Sequence, residues 1–124
     1  MRGAILIAVS TIVLCASTTS SEQAGPRRID VTAERFSFFP SEIVVRTGEE
    51  IEFRVRSEDT AHGFRIEGSN VNGVVPKRGK GVLTVTTKFD RSGRYEIECT
   101  RLCGAGHDFM RGVVVVRDAV ESKR

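Results

Sequence analysis

The residues able to do chemistry lie mostly in one short run, Cys99-Thr-Arg-Leu-Cys103-Gly-Ala-Gly-His107-Asp-Phe-Met110. Two thiols, an imidazole and a thioether fall within 12 residues, at spacings of four, four and three. Each is a ligand type for a soft or borderline metal ion. Gly104 and Gly106 let the backbone fold tightly between them, where larger side chains would collide. The other histidine of the chain, His62, sits far upstream in Asp59-Thr-Ala-His62-Gly-Phe64. It can join the same site only if the fold brings its loop alongside, across the 37 residues that separate it from Cys99.

Each of these residues also has a plainer reading. Cys99 and Cys103 are candidates for a disulfide if the chain is exported. An isolated His is usually a surface or capped residue, and Met is more often a core residue than a ligand. Two Cys with two His can hold zinc, though at an unusual spacing that leaves Met110 unused. An iron–sulfur cluster normally takes more than two Cys. Copper is the metal that employs thiolate, imidazole and thioether together, so it accounts for the most residues.

Ligands on a loop need rigid elements on either side. The chain supplies them as period-two alternation, the pattern of half-buried strands. Ile29, Val31 and Ala33 alternate with polar residues, and Ile51, Phe53 and Val55 alternate with Glu52, Arg54 and Arg56. Ile43 with Val45, Leu83 to Phe89, and Tyr95, Ile97 and Cys99 give further sets. A short strand is expected from Phe64 to Ile66. The apolar run Val113 to Val116 reads as a strand buried on both faces or a terminal core strand. Turn signals lie between them at Thr47-Gly48, Gly68-Ser69-Asn70, Arg78-Gly79 and Asp90-Arg91-Ser92-Gly93. No window beyond the N-terminus has a helical period. The pattern predicts an all-β Greek-key sandwich or barrel of six to eight strands, with the Cys/His/Met run as a loop between two of them.

At 124 residues the chain has the length of one domain, and 40% hydrophobic residues suffice for a modest core. A net charge of +3, spread along the sequence, does not argue for nucleic acid. Lys77, Arg78 and Lys80 form a basic group that could steer an acidic partner or simply be a solvated loop. There is no nucleophile–base arrangement, phosphate-binding glycine loop or carboxylate pair to support hydrolase or kinase chemistry.

Arg2, the apolar stretch Ala4 to Ala16 and the small residues Ser17 to Ser21 have the form of a secretory signal. Residues 1–17 are therefore expected to be a signal peptide cleaved near Ala16 or Ser17, with a short uncleaved anchor as the rival. Residues 18–28 read as a linker, 29–117 as the domain and 118–124 as a polar tail. Loss of 1–17 would remove Cys15 and leave Cys99 and Cys103 as the only thiols. No apolar run reaches the roughly 20 residues of a membrane-spanning helix.

The run Cys99-x3-Cys103-x3-His107-x2-Met110, with His62 in its Asp-x-x-His-Gly-Phe context, resembles the CuA-type cupredoxin domain. That domain occurs in subunit II of haem–copper oxidases and in nitrous oxide reductase. The likeness extends to Phe38-Phe39-Pro40-Ser41-Glu42-Ile43, Val75-Pro76 and Gly93-Arg94-Tyr95, and covers about residues 29–117. It implies a Greek-key cupredoxin sandwich with two copper ions bridged by Cys99 and Cys103. His62 and Met110 would complete one ion, and His107 with the backbone carbonyl of Arg101 the other. It also implies an exported electron-transfer protein, in the periplasm or on the outer face of the cytoplasmic membrane. A cytochrome c or similar donor and a membrane oxidase core would be its partners, with oxygen chemistry left to the core.

Three positions depart from the pattern. Arg101 stands where many subunit II sequences carry a Glu that also serves a second metal. The chain has no Trp to receive electrons, and Phe64 occupies the comparable place. Only Ala4 to Ala16 stands where subunit II normally has one or two membrane helices. A copper-handling protein that delivers the metal to a maturing oxidase, and a zinc- or disulfide-stapled binding domain, are the competing functions. Leu102, Phe64 and Phe109 are candidates for an apolar rim around the site, and Asp59 for a partner of His62.

Overall fold

A computed structural model of the chain describes residues 25–119. The expected signal segment, Cys15, most of the linker and the end of the tail lie outside the described residues. The architecture is two packed β-sheets. In chain order the strands are β1 (Arg27–Glu34), β2 (Ser37–Phe39), β3 (Glu42–Arg46), β4 (Glu50–Ser57), β5 (His62–Ile66), β6 (Asn72–Val75), β7 (Leu83–Lys88), β8 (Gly93–Glu98) and β9 (Arg111–Arg117). A single 3-10 turn, His107–Phe109, precedes β9. One sheet runs β2-β1-β4-β7 and the other β3-β9-β8-β5-β6. Among the described residues no helix is long and apolar enough to cross a membrane.

The alternating residues place themselves as their period demands. Ile29, Val31 and Ala33 of β1 and Ile51, Phe53 and Val55 of β4 point inward, and their polar neighbours face out. Among the described residues the count is nine strands rather than six to eight, because β2 and β6 are only three and four residues long. Strands that short lie on the edges of their sheets and carry too few residues for an alternating pattern. The Val113–Val116 run forms β9, between β3 and β8 within its sheet. Val114 and Val116 enter the core, while Val113 and Val115 are only half-buried, so one face and not both is fully covered.

Three aromatic rings tie the sheets together. Phe64 packs edge-on to Phe38, with centroids 5.6 Å apart, and against Phe53 at 5.9 Å. All three are buried. Phe53→Ala removes the ring that rests on Phe64 and should destabilise the fold by about 3–5 kcal/mol, typical of a large core truncation. A urea unfolding midpoint that hardly moves would show that this triad does not anchor the core.

The topology gathers one set of loops. β1 is parallel to β4, and both run toward the same end as β8. β5 leaves that end and β6 returns to it, with His62 opposite Val75. β7 starts there, since Leu83 pairs with Val55 near the close of β4. The β1–β2 turn, the β4–β5 loop, the β6–β7 loop and the β8–β9 loop therefore share one end of the sandwich. His62 and the Cys/His/Met run meet there.

Candidate metal centre

His62 opens β5 with its side chain facing into the core and fully buried. Its partner on the surface side is Asp59, whose Oδ1 lies 2.7 Å from His62 Nε2. When Nε2–H donates to that carboxylate, the lone pair of Nδ1 is left facing inward. Nδ1 points at Cys99 Sγ, 3.9 Å away. Asp59 is itself fixed, because Oδ2 accepts the Arg35 N–H at 2.8 Å and Oδ1 the Thr60 N–H at 2.8 Å. Burial alone would raise the Asp59 carboxyl. The hydrogen bonds from Arg35, His62 and Thr60 outweigh it and hold the group below the ordinary carboxylate value.

The β8–β9 loop supplies the rest. Cys99 and Cys103 are buried free thiols with sulfurs 3.8 Å apart, too far for a disulfide bond. Cys103 Sγ lies 3.7 Å from His107 Nδ1 and 3.9 Å from Met110 Sδ. The backbone carbonyl of Arg101 sits 3.1 Å from Cys99 Sγ, while the Arg101 side chain is exposed. The structure thus brings the ligand atoms of His62, Cys99 and Cys103 within 4.8 Å of one another, with His107 and Met110 beside the Cys103 sulfur and the Arg101 carbonyl beside that of Cys99. Each sulfur has an imidazole Nδ1 beside it, one from the start of β5 and one from the β8–β9 loop.

Further contacts hold the loop in that shape. The Gly63 N–H donates to Cys99 Sγ at 3.4 Å, a contact that ties the ligand loop to β5. Arg35 Nε donates to the carbonyl of Cys103 at 2.7 Å. The Phe36 ring covers the glycines of the loop so closely that a Cβ on Gly106 would lie 2.3 Å from it. Arg35 and Phe36 carry no sequence signal of this role, because one acts through a backbone carbonyl and the other through the space glycines leave. Phe64 does not belong to an apolar rim. It is fully buried between Phe38 and Phe53, because residues 62 and 64 of a strand share the inward face. Leu102 and Phe109 are exposed at this end, at 81% and 83%.

The donor set matches a soft or borderline cation. Burial and the neighbouring Cys99 push the Cys103 thiol up to about 11, so without a cation its proton stays on the sulfur near neutral pH. A bound metal supplies the positive charge that makes two adjacent thiolates tolerable. Sulfur and imidazole donors suit copper or zinc and not a hard cation such as calcium.

A two-sheet fold with this loop at one end defines a cupredoxin-like domain, and a family model of that description matches residues 4–116, most of the chain. Relatives narrow the class further. The chain is 41% identical over 99 residues to cytochrome c oxidase subunit 2 of Thermus thermophilus, covering 77% of this chain and 71% of the relative. A second sequence of that description, also from Thermus thermophilus, is likewise 41% identical over 99 residues, or 77% of this chain, and the match spans 57% of it. The chain belongs to the cytochrome c oxidase subunit 2 family. A solved heme-copper terminal oxidase dimer contains a chain of similar fold, with a TM-score of 0.67 and 26% identity. That match covers 86% of this chain and 79% of the other. Membership of the family implies copper at the site.

Proposed function

We propose that this chain holds two copper ions and carries electrons for a terminal oxidase, taking them singly from a cytochrome c or similar donor and passing them to the oxidase core. The observation that carries this is the paired arrangement of two sulfurs 3.8 Å apart, each with its own imidazole Nδ1 at 3.9 or 3.7 Å. Cys99 and Cys103 would be shared between the ions, His62 and Met110 would serve one, and His107 with the Arg101 carbonyl the other. Copper held by these residues would supply a one-electron store.

The chain's part is to keep that store rigid and dry. Asp59 fixes the orientation of His62, Arg35 fixes the backbone at Cys103, and Gly63 fixes Cys99. Cys99, Cys103, Met110 and His62 are all buried, which keeps water from four of the ligands, while His107 is half-buried. Ligands held from outside in this way move little between redox states, so little reorganisation opposes transfer. A delivery protein needs ligands that release the metal, and a fully buried His62 clamped by a carboxylate suits retention. The N-terminal segment 1–17 supports export, and the periplasm or the outer face of the cytoplasmic membrane as the place of action.

The test is metal analysis and electron paramagnetic resonance on the copper-loaded full chain. Two coppers per chain and hyperfine splitting from two equivalent copper nuclei are expected. One copper with a single-nucleus blue-copper spectrum, or a preference for zinc, overturns the reading. Met110→Leu removes a weak thioether donor from a buried position without changing its volume much. It should keep the two-nucleus signal and raise the reduction potential by about 59 mV, a tenfold shift of the one-electron couple. A potential that stays where it was would show that the thioether is not a ligand.

A further inference from the structure

The end of the sandwich that holds the metal site carries an apolar patch ringed by positive charge that few acidic side chains oppose. Leu102 and Phe109, 81% and 83% exposed, flank His107 on the ligand loop, and Phe36 packs on Gly104 and Gly106 of the same loop. Arg101 is adjacent to Leu102, and Arg35 is bonded to the Cys103 carbonyl. The β6–β7 loop with Lys77, Arg78 and Lys80 is fastened beside them, since the Arg78 N–H donates to the Asp59 carbonyl at 3.0 Å.

The acidic groups at this end are Glu34, Glu58, Asp59, Glu98 and Asp108, and Glu98 is paired with Arg65 at 3.2 Å and Arg111 at 3.7 Å. Glu58 is paired with Arg56 at 3.4 Å, and the Asp59 oxygens face His62 and two backbone N–H groups. Arg35, Lys77, Arg78, Lys80 and Arg101 therefore stand against Glu34 and Asp108 alone. Among the described residues none of those five has an ion-pair partner. The β5–β8–β9 sheet, by contrast, balances its charges, as Arg65 pairs with Glu98 and Arg111 with Glu96 and Glu98.

We infer that this end docks an acidic electron donor, a small redox protein whose redox group emerges through an apolar centre ringed by Asp and Glu. The inference rests on the electron-transfer reading above and adds the chemistry of the partner. One electron leaves the donor and is gained at the copper site, and no bond forms or breaks. Positive charge on the rim attracts an acidic surface over about 10 Å at 0.1 M salt and can raise association rates roughly 10- to 1,000-fold. Leu102, Phe109 and Phe36 then supply the dry centre of the contact, with arginines at its edge. A donor with a basic face meets like charge around the rim.

The test is stopped-flow reduction of the copper-loaded full chain by an acidic and a basic c-type cytochrome across a range of NaCl concentrations. The acidic cytochrome should react faster at low salt and slow as salt rises, while the basic one should not slow. Lys77→Glu/Arg78→Glu/Lys80→Glu should cut the low-salt rate with the acidic cytochrome at least tenfold and leave copper content unchanged. Equal salt responses for the two cytochromes, or an unchanged rate in the triple variant, overturn the inference. Titrating the 15N-labelled metal-free chain with the acidic cytochrome reads the surface independently of copper. Shifts at Leu102, Phe109, Lys77 and Lys80 support it, and shifts confined elsewhere overturn it. Failure to load two coppers would instead sink the proposed function, so the two outcomes are distinguishable.

Discussion

Cys103→Ser should abolish the two-nucleus copper signal while leaving the β-sandwich folded. Cys103 is the hub of the donor set, with Cys99 Sγ, His107 Nδ1 and Met110 Sδ all within 3.7–3.9 Å of its sulfur. Only Cys99 touches as many, with His62 Nδ1, the Arg101 carbonyl and Cys103 Sγ around its sulfur. A hydroxyl is a harder and less acidic donor than a thiol, so it neither bridges two soft ions nor spreads an electron between them. Copper content should fall from two per chain to one or none, and any residual signal should come from a single nucleus.

The cost to the fold should be small by comparison. Serine is slightly smaller than cysteine, so the buried pocket stays open, and the new hydroxyl costs about 1–3 kcal/mol if it finds no partner. Circular dichroism and the urea midpoint of the metal-free variant separate this from unfolding. Cys99→Ser should lose the shared signal too, and with it the contact from the Gly63 N–H. A Cys103→Ser protein that kept two coppers and the shared spectrum would show that this sulfur is not a bridge.

The strands were legible wherever a run was long enough to alternate. β1 and β4, eight residues each, declare their inward residues directly. β2 and β6 do not, because three or four residues hold at most two inward positions. The ligand types were legible for a different reason: the chain has so few Cys, His and Met that their clustering on one loop is conspicuous. That His62 joins them depends on β5 starting at the same end as the β8–β9 loop, which only strand order decides. Phe64 was open to two readings, rim or core packing, because it lies near His62 in sequence. Period two puts both on the inward face, and the core had a place for the ring.

The supports of the site were illegible. Arg35 reaches the Cys103 carbonyl across 68 positions of sequence, and a bond to a backbone oxygen imposes no residue type on the acceptor. Phe36 is recognisable only once Gly104 and Gly106 lie under it. Such groups decide how rigid the loop is, yet nothing in their own local pattern marks them. Asp59 falls between these cases, since its spacing of three from His62 hints at a contact that a turn must then close.

Gly63→Ala should damage both the fold and the metal site, although it adds one methyl group. Gly63 follows His62 in β5, so its missing side chain faces away from the core, toward the ligand loop. A Cβ there would lie 2.1 Å from Thr100 Oγ1, 2.6 Å from Thr100 N and 2.8 Å from Arg101 N. The hydroxyl could rotate aside, but the two backbone nitrogens cannot move without shifting the residues between Cys99 and Cys103. That displacement would lengthen the Gly63 N–H contact to Cys99 Sγ and carry the Arg101 carbonyl away from the sulfur. Overpacking of this kind costs about 1–3 kcal/mol in the metal-free protein. The loss should be larger with copper present, because a ligand that binds only the native state adds to its stability, and a distorted site forfeits that addition. Gly25→Ala, where a Cβ meets nothing within 4 Å, is the control and should stay within about 0.5 kcal/mol. Urea midpoints with and without copper, together with the hyperfine pattern, would measure both effects. If Gly63→Ala matched the control in all three, the ligand loop would not rest on β5, and the route by which strand order delivers His62 to the sulfurs would have to be different.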